Sequence, residues 1–281
     1  MLRIVTDGAV DLPAEWYQEY DINRIPINVH FGEKTYLQDV ELGLEAFYDL
    51  VGKGNQPHPK TSQPSPHQFV EYYKKIAQPG DTILSIHITS KLSGTYASSV
   101  AAAEEVKGTY NVIPVDTLAG SMGTGYMCRA ARLMERAGKS PEEIVKYIEG
   151  IRGKVQVILT LDTLEYARRS GRVGTFSAAL ASVLNIKPIA LLKDGVVEMV
   201  DKVRTRKAAI ERVLEMGQQA YGNQPVYIAA VHARDLASGQ ALLDEAKKRF
   251  NVKDAFLTDL SVSLAINFGP GTVGLVLYPA E

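Results

Sequence analysis

The chain has 281 residues and a single cysteine, Cys128, so no disulfide can form within it. Cys128 lies in an apolar-periodic stretch, where a free thiol reads as buried filler; a nucleophile would need an activating neighbour. No run of about 18 apolar residues occurs, the length a membrane helix needs. The longest near-apolar stretch, residues 176–192, is interrupted by Ser177, Ser182, Asn185, Lys187 and Pro188. The first residues, Met1-Leu2-Arg3-Ile4-Val5-Thr6-Asp7, lack the apolar region of a signal peptide. Together with the near-absence of cysteine, this makes a reducing, cytoplasmic location the expectation.

Neither sign of charge dominates. There are 31 Lys plus Arg against 32 Asp plus Glu, a net charge of -1. A nucleic-acid partner, which calls for a basic excess or stripe, is not expected. The five histidines, His30, His58, His67, His87 and His232, are scattered without metal-ligand spacing, so no metal is expected. The patterns G-x-x-x-x-G-K-[ST], H-E-x-x-H and G-x-S-x-G are absent. Gly269-Pro270-Gly271-Thr272-Val273-Gly274 matches G-x-G-x-x-G, but it leads into a strand-like segment near the C-terminus and reads as a tight turn. No cofactor is expected.

What remains is an ordinary globular composition, 46% hydrophobic and 22% charged. At roughly 100–200 residues per domain, the length suits one large domain or two medium ones. Short β-rich runs alternate with helical patterns. Strands are expected at residues 2–6, 25–31, 82–88, 111–115 and 155–160. Helices are expected at 13–20, 45–51, 66–76, 94–106, 121–137 and 141–152, the last with Ser140 and Glu143 as a capping box. This βαβα order predicts an α/β fold, with a mostly parallel N-terminal sheet covered by helices on both faces. The second half predicts an α/β domain with a mixed sheet: helices at 164–169 and 176–184, strands at 188–193 and 196–200 around the turn Asp194-Gly195, then helix 206–221, strand 226–231, helix 236–250, and strands 255–260 and 272–278. The expected domains are 1–160 and 161–281. Residues 54–66, with four prolines, form the longest stretch without a pattern, a length that marks function or disorder.

Three clusters could carry function. Thr61-Ser62-Gln63-Pro64-Ser65-Pro66 ends that loop; Ser65 as N-cap and Pro66 as the first helical residue account for two of them. Thr61, Ser62 and Gln63 remain, three polar side chains suited to a polar head group. Thr89-Ser90-Lys91-Leu92-Ser93-Gly94-Thr95-Tyr96 follows a buried strand and opens a helix, where ligands of open sheets sit and where backbone N–H groups favour an anion. Ser93 as a plain N-cap is the competing reading. Arg168-Arg169-Ser170-Gly171-Arg172 has the composition of a helix C-terminus, which leaves Arg172 as a candidate for a carboxylate.

In this order and spacing the segments resemble the DegV family along about residues 2–280. The carriers are Thr6-Asp7, Asp11-Leu12, Pro26, Tyr36, Asp39, Thr61 to Pro66, Ser90 to Tyr96, Leu161 to Gly174, Leu184 to Pro188, Arg204 to Lys207 and Gly269-Pro270-Gly271. The resemblance implies a two-domain protein of the EDD-type α/β fold that is not an enzyme. It would hold a long-chain fatty acid in an interdomain cleft and present the carboxylate to the catalytic subunit of a separate fatty acid kinase. Such a carrier leaves room for transient contact with a membrane surface. Carried over, Thr61 and Ser93 would bond the carboxylate, with Ser62 and Gly94 beside them, and Arg172 and Asn267 would complete the network. Two positions depart from the family pattern: Gly8 where Ser is common, and Asn267 where His is common. Arg204 and Arg206 are candidates for docking the kinase, with solvated surface charge as the alternative. The competing function is an acyl hydrolase or phosphotransferase with Ser93 as nucleophile, for which His87 is the one candidate base near in sequence.

Overall fold

The computed structural model describes residues 1–52, 57–172 and 186–280. The chain forms two compact units. The first runs through β1 (Leu2–Asp7), α1 (Ala14–Glu19), β2 (Ile22–Ile25), β3 (Asn28–Phe31), β4 (Lys34–Leu37), α2 (Leu44–Gly52), β5 (Lys60–Ser62), α3 (Pro66–Ile76), β6 (Thr82–His87), α4 (Thr95–Glu105), β7 (Asn111–Asp116), α5 (Ser121–Arg136) and α6 (Pro141–Ile151). Its main sheet is wholly parallel, in the order β2-β1-β6-β7, and a small antiparallel sheet has the order β4-β3-β5.

Alternation along the parallel strands sorts their side chains onto two faces. Val5 and Ile83 join Phe69, Val70 and Tyr73 of α3 and Ala102 of α4 in one buried cluster. Thr6 points the other way, where the buried Cys128 of α5 meets its hydroxyl and burial pushes the thiol up to about 12. Both expected caps are present. Ser65 accepts from the Gln68 N–H at the start of α3, and Ser140 accepts from the Glu143 N–H at the start of α6.

The second unit contains β8 (Gln156–Thr160), α7 (Glu165–Ser170), β9 (Lys187–Lys193), β10 (Val196–Val203), α8 (Arg206–Tyr221), β11 (Pro225–His232), α9 (Leu236–Arg249), β12 (Asn251–Asp259), α10 (Val262–Phe268) and β13 (Val273–Pro279). Its sheet is mixed, in the order β10-β9-β8-β13-β11-β12, with β11 and β12 parallel. Ala209, Val213 and Leu214 of α8 and Leu242, Leu243 and Ala246 of α9 cover one face, packing on Ile158, Ile189, Ile228, Leu275 and Leu277. Asp194 and Gly195 both have positive φ, 49° and 82°, as a tight hairpin turn requires.

Four expectations are corrected. The strand expected at 25–31 is two strands in different sheets. Pro26 lies between them and cannot donate to a ladder. The strand expected to close the first half, β8, instead pairs with β9 and β13 in the second sheet. By compactness β8 falls in the second unit, which comprises Gly153–Leu260, the residues from Leu264 on and Ser121–Gly123, while Ser261–Ser263 group with the first unit. Part of the patternless stretch is a strand, β5, paired with β3. Finally, β4 and α10 are elements the pattern does not announce. The helix expected at 176–184, together with Gly174, Leu184 and Asn185, lies outside the described residues.

Arg132 on α5 shows how the first unit is fastened. Its side chain is buried, and its guanidinium donates to the carbonyls of Tyr20 (2.9 Å), Asp21 (3.0 Å) and Leu2 (3.4 Å) and to the carboxylates of Asp21 and Glu135 (both 3.1 Å). Arg132→Leu leaves those carbonyls without their donor and is expected to cost about 2–3 kcal/mol. Arg132→Lys is expected to recover only part of this, because an ammonium cannot reproduce the planar fork. Urea unfolding measures both; wild-type stability in the leucine variant would dismiss the clamp.

Candidate functional site

In the parallel sheet, the chain order reverses between β1 and β6, which makes their carboxyl ends the topological switch point where open α/β sheets bind ligands. β1 ends at Asp7 and β6 at His87, and the two side chains meet: His87 Nδ1 lies 3.0 Å from Asp7 Oδ2. The Asp7 carboxylate also accepts from the N–H of Ala9 (2.9 Å) and of Ile88 (3.1 Å), so one buried group anchors the loops leaving both strands. Thr117, just past β7, donates its hydroxyl to the His87 carbonyl at 2.8 Å. Asp116 accepts from Ser90 N–H at 3.1 Å, tying the third loop to the second.

Ser93 and Gly94 stand on this anchored loop, immediately before α4. Gly94, not Ser93, occupies the cap position, and Ser93 Oγ accepts from the Thr95 N–H two residues on while lying 2.8 Å from Thr95 Oγ1. The reading of Ser93 as the N-cap is therefore corrected: its hydroxyl accepts from the N–H of the first helical residue from one position before the cap, and Ser93 is half-buried.

The Thr61 segment reaches the same place. A Cβ added to Gly94 would stand 2.8 Å from the Gln63 Nε2, so the absence of a side chain at 94 is what admits the Gln63 amide. Strand alternation divides the neighbouring hydroxyls. Thr61 is registered opposite Val29, which is fully buried, whereas Ser62 is opposite Asn28 and lies on the other face. There, Ser62 Oγ is 2.8 Å from His30 Nε2, and His30 Nδ1 is 2.8 Å from Thr35 Oγ1. Ser62 therefore has a local partner, while the Thr61 hydroxyl forms no hydrogen bond among the described residues. Nothing local to His30 announces this contact; only the register of β3 against β5 brings it to Ser62. Gln38 is likewise unannounced. It is buried, donates to the Gly8 carbonyl at 2.7 Å, and its amide fills the space a Cβ at position 8 would enter, at 3.0 Å. The same amide accepts from the Ser263 N–H at 3.2 Å.

The other candidates lie in the second unit. Arg172 is exposed just after Gly171, which has φ +65° and caps α7 as expected; its Nη1 donates to the Ser170 carbonyl. Asn267 is half-buried on α10, before the turn at 269–271. Gly269 has φ +87°, and a Cβ there would stand 2.4 Å from the Tyr166 ring, so α7 packs against the turn that follows Asn267. The G-x-G-x-x-G match is a turn leading into β13, as its placement predicts. Arg204 is exposed, but Arg206 is not a loose surface charge. It donates to the Gly271 carbonyl and pairs with Asp162 (3.2 Å) and Asp235 (3.5 Å), while Lys187 also pairs with Asp162.

His87 does not serve Ser93 as a base. Its Nε2 lies 2.6 Å from Ser85 Oγ, so both ring nitrogens are engaged. Asp7, His87 and Ser85 have the connectivity of a catalytic triad, but all three are fully buried, and the Ser85 hydroxyl is also 2.8 Å from the Tyr73 phenol. Among the described residues, no group of three or more His, Cys, Asp or Glu side chains is placed to hold a metal ion. No helix among them is long and apolar enough to cross a membrane.

Comparison with known proteins agrees with this architecture. A family model described as "Uncharacterised protein, DegV family" matches residues 1–280. The Protein DegV of Bacillus subtilis is 31% identical over 276 residues, covering 98% of each chain. Among solved structures, a DegV family protein from Thermus thermophilus, described as binding fatty acid, matches with a TM-score of 0.89 and 31% identity over 99% of both chains. A DegV lipid-binding protein from Thermotoga maritima matches with a TM-score of 0.88 and 28% identity, covering 100% of this chain and 99% of that one. With a family model and relatives that match from end to end, the chain belongs to the DegV family.

Proposed function

We propose that this protein binds one long-chain fatty acid and presents its carboxylate to a separate fatty acid kinase, without catalysing a reaction itself. The observation that supports the reading is the close approach of Gln63, just past the strand that bears Thr61, to Gly94 beside Ser93, on the loop that leaves the switch point of the parallel sheet. Fatty-acid binding by the related Thermus protein supports the ligand class. The carrier role is supported by His87, whose nitrogens are both committed to Asp7 and Ser85. Tail and head divide the work. Burying a CH₂ is worth roughly 0.8 kcal/mol, so a chain of about 16 carbons offers on the order of 10 kcal/mol before association costs. A hydrogen bond to the charged head adds roughly 1.5–3 kcal/mol, enough to set orientation rather than affinity. Arg172 and Asn267 are further head-group candidates; the amide of Asn267 can donate but cannot release a proton at physiological pH.

Protein purified from a bacterial host is expected to carry about one acyl chain per molecule, a single-site occupancy of the kind such a buried apolar term sustains. Solvent extraction with mass spectrometry, alongside native mass spectrometry, measures it. Lipid-free protein that also takes up neither added oleate nor palmitate would end the proposal.

Thr61→Ala and Ser93→Ala are each expected to weaken oleate binding by about 10- to 150-fold, the equivalent of roughly 1.5–3 kcal/mol. The double variant is expected to lose less than the sum, since both hydroxyls serve one carboxylate. Strictly additive losses in calorimetric titration would place the two residues at separate sites.

Of the two arginines that are candidates for kinase docking, Arg204 is the one open to a partner, because Arg206 is held by Asp162, Asp235 and the Gly271 carbonyl. Arg204→Ala is expected to leave oleate affinity unchanged and to slow acyl-phosphate formation by about 5-fold with a cognate kinase and ATP, the size of one exposed charge contact of about 1 kcal/mol. An unchanged rate at low and high salt would remove Arg204 from the docking surface.

A further inference from the structure

The face of the parallel sheet that α3 and α4 cover is apolar at one end and polar at the other. Val5 and Ile83 face Phe69, Tyr73 and Ala102. Two residues further along each strand, the same face presents Asp7 and Ser85, and then His87. These polar groups form one continuous buried chain. Ser99 Oγ of α4 lies 3.1 Å from the Tyr73 phenol of α3, the phenol 2.8 Å from Ser85 Oγ, that oxygen 2.6 Å from His87 Nε2, and His87 Nδ1 3.0 Å from Asp7. All five side chains are fully buried, and the Phe69 ring packs edge-on against His87 at 5.1 Å. One assignment lets every hydroxyl donate once, from Ser99 through Tyr73 and Ser85 to His87, with the Asp7 carboxylate as final acceptor. Burial pushes the Tyr73 phenol up to about 12, so it remains a donor at neutral pH.

The network joins the two helices that follow the head-group candidates of the first unit. α3 follows the Thr61–Gln63 segment directly, and α4 follows Ser93-Gly94 directly. Asp7, at the far end, holds the backbone of the loop that leads to Ser93 through Ile88 N–H. Packing alone would be served by a phenylalanine at 73 and an alanine at 99. Apolar contacts tolerate sliding, whereas hydrogen bonds constrain both distance and direction. A fully satisfied buried network thus selects one arrangement of the two helices.

We propose that Tyr73 is a positioning residue: its hydroxyl, shared between Ser85 and Ser99, fixes α3 relative to α4 and thereby sets the preference of the Thr61–Ser93 pair for a carboxylate over an uncharged head group. This rests on the fatty-acid reading and adds to it the origin of head-group selectivity. The test compares oleate with oleyl alcohol, which shares its tail, by calorimetric titration at pH 7.5, with thermal melting run alongside. Tyr73→Phe is expected to weaken oleate by about 10-fold, as loss of one charge-assisted contact would, while oleyl alcohol changes by less than about 2-fold. Ser99→Ala, which removes the other end of the same hydrogen bond, is expected to give the same split and carries the test if the phenylalanine variant does not fold. Equal weakening of both probes would mean that the network only stabilises the fold, and unchanged oleate affinity in a folded variant would mean that it positions nothing. A wild-type protein that binds neither probe would remove the fatty-acid reading, and this inference with it.

Discussion

A carboxyl group taken out of water must find hydrogen-bond partners within the protein, because leaving its oxygens unmet is costly. Asp7 meets that requirement with two backbone N–H groups, from Ala9 and Ile88, and with the ring of His87. Because two donors are main-chain groups on different loops, satisfying Asp7 fixes the exits of β1 and β6 together. Thr117 and Asp116 then add the exit of β7 by bonding the His87 carbonyl and the Ser90 N–H. The polar rim at the end of the sheet is therefore built outward from one buried carboxyl group. The loop carrying Ser93 and Gly94 inherits its placement from it.

The second unit uses charge differently. Arg206 and Lys187 gather around Asp162, and Arg206 also holds Asp235 and the carbonyl of Gly271. These groups are partly exposed, so their pairing is worth less than that of a buried pair. Its consequence is geometric: the turn at 269–271 is held from one side by Arg206 and from the other by the Tyr166 ring against Gly269. That turn directly follows the helix bearing Asn267.

Much of this was legible in the chain. α8 begins at Arg206 and ends at Tyr221 as its apolar spacing indicates, the caps at Ser65 and Ser140 form as written, and Asp194-Gly195 makes the hairpin its composition demands. Each of these depends on residues within one turn or two of one another. The failures share a cause as well. β8 has the composition of any buried strand, and nothing local says that its partners are β9 and β13, over a hundred residues away in the latter case. In the same way, Pro26 separates two strands whose membership of different sheets is decided by what lies beside them.

The candidate site divides along the same line. Sequence by itself determined which chemistry is on offer: a loop with hydroxyls at 61, 62 and 93, a glycine at 94, and one thiol in an apolar setting. It also determined the family, since order and spacing of short motifs are properties of the chain. Only the tertiary structure decided which of these groups lie together. Register turned Thr61 and Ser62 to opposite faces, brought His30 to Ser62, and left the Thr61 hydroxyl without a partner among the described residues. Burial turned His87 from a candidate base into a link between Asp7 and Ser85, and ion pairing turned Arg206 inward while Arg204 stayed exposed. The physical reason is that side-chain chemistry is local, whereas hydrogen-bond partners and solvent exposure are set by strands and helices distant in sequence.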